Sequence, residues 1–260
     1  MTDQIAEPGG EARIRFYAEL NDFLPSRRAN RELSVAVKGR PTVKHLIESM
    51  GVPHTEVDLV LLNGRSVGFD RIVSPGDRMS VYPVFESMDV SPVVRLRPAP
   101  LRKTRFLLDV HLGKLAFILR LLGFDAAFPG DLPDDELARM SVQQNRILLT
   151  RDIALLKRRI VTHGCYIRSD HPVEQAREVL DRLDLRGSVE PFKRCVQCGG
   201  ELEPVKKEAI IDRLEPLTKR YYDRFKMCRD CGKIYWRGSH FGALKKLLSR
   251  LGISTELEPE

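Results

Sequence analysis

Two kinds of residue in this 260-residue chain could do chemistry: paired cysteines, and aspartates at the ends of apolar runs. Cys195 and Cys198 in "CVQC" and Cys228 and Cys231 in "CRDC" form two C-x-x-C knuckles separated by 29 residues. Four thiolates suit a tetrahedral Zn²⁺. They leave no open coordination position, so the expected role is structural, whereas a catalytic zinc needs a vacancy. Gly199, Gly200 and Gly232 follow the knuckles and allow the tight turn that folds backbone around a metal. A redox-active pair or an iron cluster is the alternative. The fifth cysteine, Cys165 in "CYIRS", reads as a buried strand residue.

The aspartates pose a different question. "RILLTRD" is an apolar, β-branched run that stops abruptly on Asp152, and "RFLLDV" stops in the same way on Asp109. Asp134, Asp135 and Glu136 open the amphipathic stretch between them. Carboxylates brought together repel, and one takes up a proton unless a cation lies between them. Mg²⁺ or Mn²⁺ suits such oxygens. An ion of this kind can bind a phosphodiester oxygen, activate an attacking water and stabilise the leaving oxygen. Thr150 could hydrogen-bond a ligand carboxylate, and Arg151 and Lys114 could meet phosphate oxygens. The plainer reading is that Asp109, Asp134 or Asp135, and Asp152 cap helices. Three of them on one sheet edge leave both readings open.

The elements that must position these residues follow from the hydrophobic rhythm. "TRFLLDV", "FDAAF", "RILLT" and "CYIRS" read as strands. They alternate with helices in "HLGKLAFILRLLG", "PDDELARMSVQQ", "DIALLKRRIV" and "PVEQAREVLDRLDL". Leu112, Leu115, Leu119 and Leu122 form one stripe, with Gly123 as its stop. This βα alternation predicts an α/β domain over residues 104–187, a parallel sheet with helices on both faces. Ligands of such sheets gather beyond the carboxyl ends of the strands, where Asp109 and Asp152 fall.

Before it lies an α+β segment, residues 13–86. "ARIRFYAEL" and "RELSVAVKG" read as strands, and "TVKHLIESMG" as a helix from Thr42 to Gly51. "VDLVLLNGRSV" turns at Asn63-Gly64, and "SPGDRMSVYPVF" supplies the last strand. The order predicts a ubiquitin-like β-grasp fold. "VLLNGRSV" and "PGDRMSVYP" resemble the small sulfur carriers of thiamine and molybdopterin synthesis. Those carriers act through a terminal Gly-Gly, and the equivalent point here, "VFESMDVSPV", has none. A docking role toward a protein partner, or a structural one, is therefore expected, and sulfur transfer is the lesser reading. Residues 87–103, proline-rich and basic, read as a linker.

Residues 188–250 carry the cysteine pairs among many Lys and Arg, interleaved with Tyr221, Tyr222, Phe225, Tyr235, Trp236 and Phe241. Cations for phosphates and aromatic faces for unstacked bases suit single-stranded RNA. The same aromatics could instead fill the core of a small zinc ribbon.

"RFLLDVHLGKLAFILRLLGFDAAF", "PDDELARM", "NRILLTRD" and the cysteine-rich tail, with "KIYWRGSHF" after the last cysteine, together resemble the Mut-seven C-terminal ribonuclease family. That is a branch of the PIN-domain-like nucleases, often preceded by a ubiquitin-like domain. The resemblance implies metal-dependent RNA cleavage, with Asp109, Asp134 or Asp135, and Asp152 holding Mg²⁺ or Mn²⁺ and Asp170 as a further acid. A non-catalytic RNA-binding adaptor, whose aspartates only cap helices, is the alternative.

Composition fits this reading. The net charge of +7 favours polyanionic partners such as RNA, single-stranded or structured. No apolar run approaches a membrane span, "MTDQIAEPGGEA" is not a signal peptide, and an odd cysteine count argues against a disulfide framework. A cytoplasmic setting is expected.

Overall fold

The computed structural model describes residues 10–83 and 104–254. The segment read as a linker, 87–103, and the last residues of the predicted β-grasp segment lie outside the described residues. The chain gathers into two compact units. Among the described residues, one comprises 10–83 with Ala138–Val142 and Asp152–Tyr166; the other comprises 104–137, Gln143–Arg151 and 167–254.

In the first unit, β1 (Glu11–Phe16), β2 (Glu32–Ala36), helix α1 (Val43–Ser49), β3 (Leu59–Leu62), β4 (Arg65–Ser66) and β5 (Arg78–Tyr82) follow one another. The strands form a sheet in the order β2-β1-β5-β3-β4, with β1 and β5 parallel and the other pairs antiparallel. Strand β1 alternates strictly, so Ala12, Ile14 and Phe16 point inward and their neighbours outward. They join Val43, Ile47, Val60 and Val81 in the core. Thr42 caps α1 by accepting the His45 N–H at 3.2 Å, and Gly51 beyond its end has φ +111°. Asn63 and Gly64 both have positive φ, which the β3-β4 turn needs. The predicted β-grasp order is thus present.

This unit also holds a stretch that lies far along the chain. His54 Nε2 meets the Val161 carbonyl at 3.0 Å, and its Nδ1 meets Glu48 at 2.7 Å. Glu56, fully buried, accepts the Tyr166 N–H at 2.6 Å. Nothing in the local periodicity of "PHTEV" announces such a long-range polar contact.

In the second unit, β6 (Arg105–Leu108) leads into helix α2 (Gly113–Leu121), and β7 (Asp125–Ala127) follows; helix α3 (Asp134–Gln143) comes next, with its Ala138–Val142 counted in the first unit. Strand β8 (Ile147–Thr150) follows. β6 pairs in parallel with both β7 and β8, as the alternation predicts. Phe106, Leu107, Leu108, Leu148 and Leu149 are completely buried, the signature of strands covered on two faces. The predicted stripe of Leu112, Leu115, Leu119 and Leu122 is buried as well. Gly123 ends α2 at φ +97°, and the Phe124 N–H closes back on the Leu119 carbonyl at 2.9 Å. A Cβ there would lie 2.2 Å from the Glu190 carbonyl oxygen.

Two elements of Asp152–Tyr166 belong to the first unit: the helix expected in "DIALLKRRIV" is a single turn, α4 (Ile153–Leu156), and β9 is Gly164–Tyr166 with Cys165 buried in it as expected. Helix α5 (Pro172–Arg182) buries Ala176, Val179 and Leu180 and packs against α2. Beyond it, β10 (Leu202–Val205), helix α6 (Pro216–Tyr221), β11 (Phe225–Cys228) and β12 (Ile234–Tyr235) precede helix α7 (Phe241–Arg250). The three strands form an antiparallel sheet with β11 in the middle. Its small core is Ile210, Leu214 and Phe225.

Candidate functional site

Asp109 is the residue immediately after β6, and its side chain is 6% exposed. It caps the short 3-10 turn Val110–Leu112 by accepting the His111 N–H at 2.8 Å. That bond is what the plain capping reading requires. Two further bonds are not local. The Thr150 hydroxyl donates to the other carboxylate oxygen, and the Arg151 N–H donates to the same atom at 3.2 Å. The end of β8 therefore grips a carboxylate from the end of β6. The parallel register, Leu108 opposite Leu149, brings the two strand ends level.

The other predicted residues are placed one by one. Asp152 caps α4, accepting the Ala154 and Leu155 N–H groups at 2.7 and 3.3 Å. Asp134 and Asp135 occupy the first turn of α3, where the helix dipole favours negative charge. Arg151 sends its guanidinium to the Ser169 carbonyl at 2.6 Å and to Asp170 at 2.5 Å, so the candidate fourth acid is the partner of the candidate phosphate-binding arginine. Lys114 is exposed on α2.

The aspartates are not among the converging sets of three or more candidate ligands in the described residues; the four cysteines are. Mg²⁺ makes a smaller demand. It is commonly held by one or two carboxylates, with waters and substrate phosphate completing its shell. Asp109, already fixed by three donors, suits that kind of site.

The cysteine set is fully built. Two knuckles of the same design face each other. The Gly199 N–H donates to the Cys195 carbonyl at 2.8 Å, and the Gly232 N–H donates to the Cys228 carbonyl at 3.0 Å. Both glycines have positive φ. Gly200 has no room for a Cβ, which would lie 2.9 Å from the Cys228 sulfur. All four sulfurs lie within 4.8 Å of one another. Cys195 and Cys231 are 3.7 Å apart, and Cys198 and Cys228 are 3.4 Å apart. A tetrahedral Zn–S₄ centre with ordinary bond lengths has sulfurs roughly 3.8 Å apart. Spacing and donor type are compatible with a zinc ribbon.

The titration of the thiols points the same way. Burial pushes the Cys195 thiol up, but the Tyr235 hydroxyl at 3.0 Å and the backbone N–H groups of Cys198 and Gln197 outweigh it, holding the group at about 6. Cys198 is pushed up to about 12, first by burial and then by its neighbouring cysteines. One negative charge is thus accommodated and its neighbour resisted, the behaviour of thiolates that need a shared cation.

Two contributors had little signal in the sequence. Arg120, buried in α2, donates to the Ala126 carbonyl at 2.8 Å and to the Val196 and Gln197 carbonyls at 3.4 and 2.7 Å. It ties the first knuckle to the sheet layer. Burial pulls its guanidinium below the ordinary value, and the nearby Cys198 and Cys195 work against that. A lone cation inside the apolar run "FILRLL" is the clue that was available. Tyr235, which donates to the Cys195 sulfur, sits among other aromatics and carries no such clue.

Set beside known proteins, residues 104–248 match the model of the Mut7-C RNAse domain, more than half of the chain. The chain belongs to the Mut7-C RNAse domain family. Its first part, residues 9–89, matches the Mut7-C ubiquitin model, in agreement with the β-grasp sheet. Membership suggests a nuclease-like function, with RNA as the suggested substrate. No curated protein matches it. Similar solved structures include the Haloferax volcanii HVO 2177 protein, 22% identical over 34% of this chain and 94% of that one, with a TM-score of 0.25. Another is Urm1 from Trypanosoma brucei, 15% identical over 31% of this chain and 98% of that one, with a TM-score of 0.23. Neither likeness is close enough to argue from. Among the described residues of this Mut7-C protein, no helix is long and apolar enough to cross a membrane.

Proposed function

We propose that the protein is a metal-dependent ribonuclease that hydrolyses RNA phosphodiester bonds, with Mg²⁺ or Mn²⁺ held by Asp109 and one further carboxylate, from Asp152, Asp134 or Asp135. The observation that carries this reading is the grip on Asp109. A helix cap accounts for the His111 contact alone, yet the carboxylate also takes the Thr150 hydroxyl and the Arg151 N–H from the neighbouring strand end. Donors recruited from 41 and 42 residues away fix the orientation of this side chain at the sheet edge where α/β proteins bind ligands. The RNAse description of the family supports the same chemistry.

When bound, the ion would supply a Lewis acid for a phosphoryl oxygen and for the attacking water. The chain's own part is to keep Asp109 aimed, to offer Lys114 and Arg151 as positive charge for the phosphate, and to hold α2 and the ribbon together through Arg120. Zinc on the four cysteines serves the fold. On this reading the protein works in a reducing cytoplasm, where cysteines are kept available for zinc. The ubiquitin-like domain is assigned a protein-docking role.

The caps on Asp152 favour a second reading, an RNA-binding adaptor without chemistry. Labelled RNA incubated with the purified chain separates the two. Cleavage that requires added Mg²⁺ or Mn²⁺ is expected; RNA that is bound and stays intact in either ion favours the adaptor.

A further inference from the structure

The ribbon carries a cavity of about 790 Å³ that the nuclease reading does not use. Phe192, Tyr235, Trp236 and Phe241 supply much of its apolar lining. The ribbon's own core is Ile210, Leu214 and Phe225, so of the predicted aromatics Phe225 is core while Trp236 stays 40% exposed. Tyr222 and Phe225 back the indole, with ring centroids 6.5 and 6.4 Å away.

Two features mark this wall as shaped. A Cβ on Gly238 would lie 2.6 Å from the indole nitrogen, so glycine is what lets Trp236 lie against the chain. Phe192 holds φ +60°, a left-handed backbone that bulky residues rarely adopt. Its N–H donates to the Leu121 carbonyl, its own carbonyl accepts from Lys226, and its ring packs on Phe241 with centroids 4.9 Å apart. Strain of this kind concentrates at ligand sites.

Charge identifies the occupant. Arg224, Lys226, Lys233 and Arg237 border the cavity, and none pairs with a carboxylate among the described residues. The carboxylate on its wall, Asp223, is held by Lys207 at 2.7 Å. Arg237 and Lys245 stand over the Phe241 ring, 5.6 and 5.3 Å from its centroid, which keeps their charge at the rim. An exposed indole surrounded by uncompensated cations fits a ligand that is flat, aromatic and anionic along its length.

We propose that this groove binds unpaired RNA, stacking a base on Trp236 and taking flanking phosphates at Arg224 and Arg237. It rests on the nuclease reading only for the choice of polymer; the groove does not include Asp109.

Trp236 is the chain's single tryptophan, so its emission reports the groove directly. The test titrates the full, zinc-loaded chain with a short oligouridylate, without added Mg²⁺ or Mn²⁺, following Trp236 emission and the anisotropy of a labelled strand. Saturable quenching is expected. Arg224→Ala with Arg237→Ala should weaken binding about tenfold or more. The same pair should flatten the salt dependence by about 0.7 in log–log slope per lost phosphate contact. Zinc content and melting temperature check that this variant is folded. If it is not, Trp236→Ala, which should lose binding that Trp236→Phe keeps, decides alone. Asp109→Asn should bind as the unaltered chain does, so failure of the groove and failure of the nuclease reading can be told apart. Unchanged Trp236 emission at saturation, unchanged affinity in these variants, equal affinity for duplex RNA, or equal affinity for uridine monophosphate would each overturn the proposal.

Discussion

The Thr150 hydroxyl at the end of β8 donates to the buried Asp109 carboxylate at the end of β6. The bond joins two strand ends through the group proposed to hold the ion. It makes the orientation of that carboxylate a property of the sheet register rather than of a local turn.

Thr150→Val keeps the shape and removes the donor. A buried acceptor that loses one partner costs about 1–3 kcal/mol, so unfolding by urea should show a loss of that size. Thr150→Ser should restore most of it. If Asp109 holds the ion, RNA cleavage by the valine variant should also fall by about 10–100-fold, the usual effect of disturbing an outer-shell partner.

Zinc binding should depend steeply on pH. Cys198, held at about 12, and Cys231, also raised, carry protons at pH 7 that the metal must displace. Cys195, at about 6, has already lost its proton there. Proton release favours binding as pH rises, so affinity should fall by at least about a hundredfold per unit as pH drops toward 7, tenfold for each of these two protons. It should fall more steeply below 6, where Cys195 protonates. Competition with a chromophoric chelator measures this, and a pH-independent affinity would remove zinc from the account.

Arg120→Met keeps much of the side-chain volume and removes the donors to Ala126, Val196 and Gln197. Hydrogen bonds to charged groups contribute about 1.5–3 kcal/mol each. The ribbon should therefore become protease-sensitive while the ubiquitin-like unit stays protected. Arg120→Lys should not rescue it, because one ammonium cannot reproduce the planar fork. Limited proteolysis with mass spectrometry reads the outcome.

Much of this was legible in residue patterns, for identifiable reasons. Alternation in "ARIRF", the Asn63-Gly64 turn, the leucine stripe of α2 and the paired C-x-x-C knuckles are local signals, and each element formed where they lay. The extended helix read into "DIALLKRRIV" is only one turn. What stayed hidden is long-range and polar. The Tyr166 N–H on Glu56, the Val161 carbonyl on His54 and the Arg120 tie to the first knuckle join residues far apart in sequence, and no periodicity encodes them. The aspartates are intermediate cases. Their strand-end positions were readable, their capping bonds were foreseen as the plainer reading, and the grip of Thr150 and Arg151 on Asp109 is what the structure added.

The most direct measurement is ion-dependent cleavage of a labelled RNA by the purified chain, compared with Asp109→Asn and with Asp109→Asn combined with Asp152→Asn. RNA affinity is followed in parallel. The account predicts that Asp109→Asn lowers the rate by at least about a hundredfold, with affinity kept and zinc content unchanged. Undiminished cleavage by the double variant would contradict it.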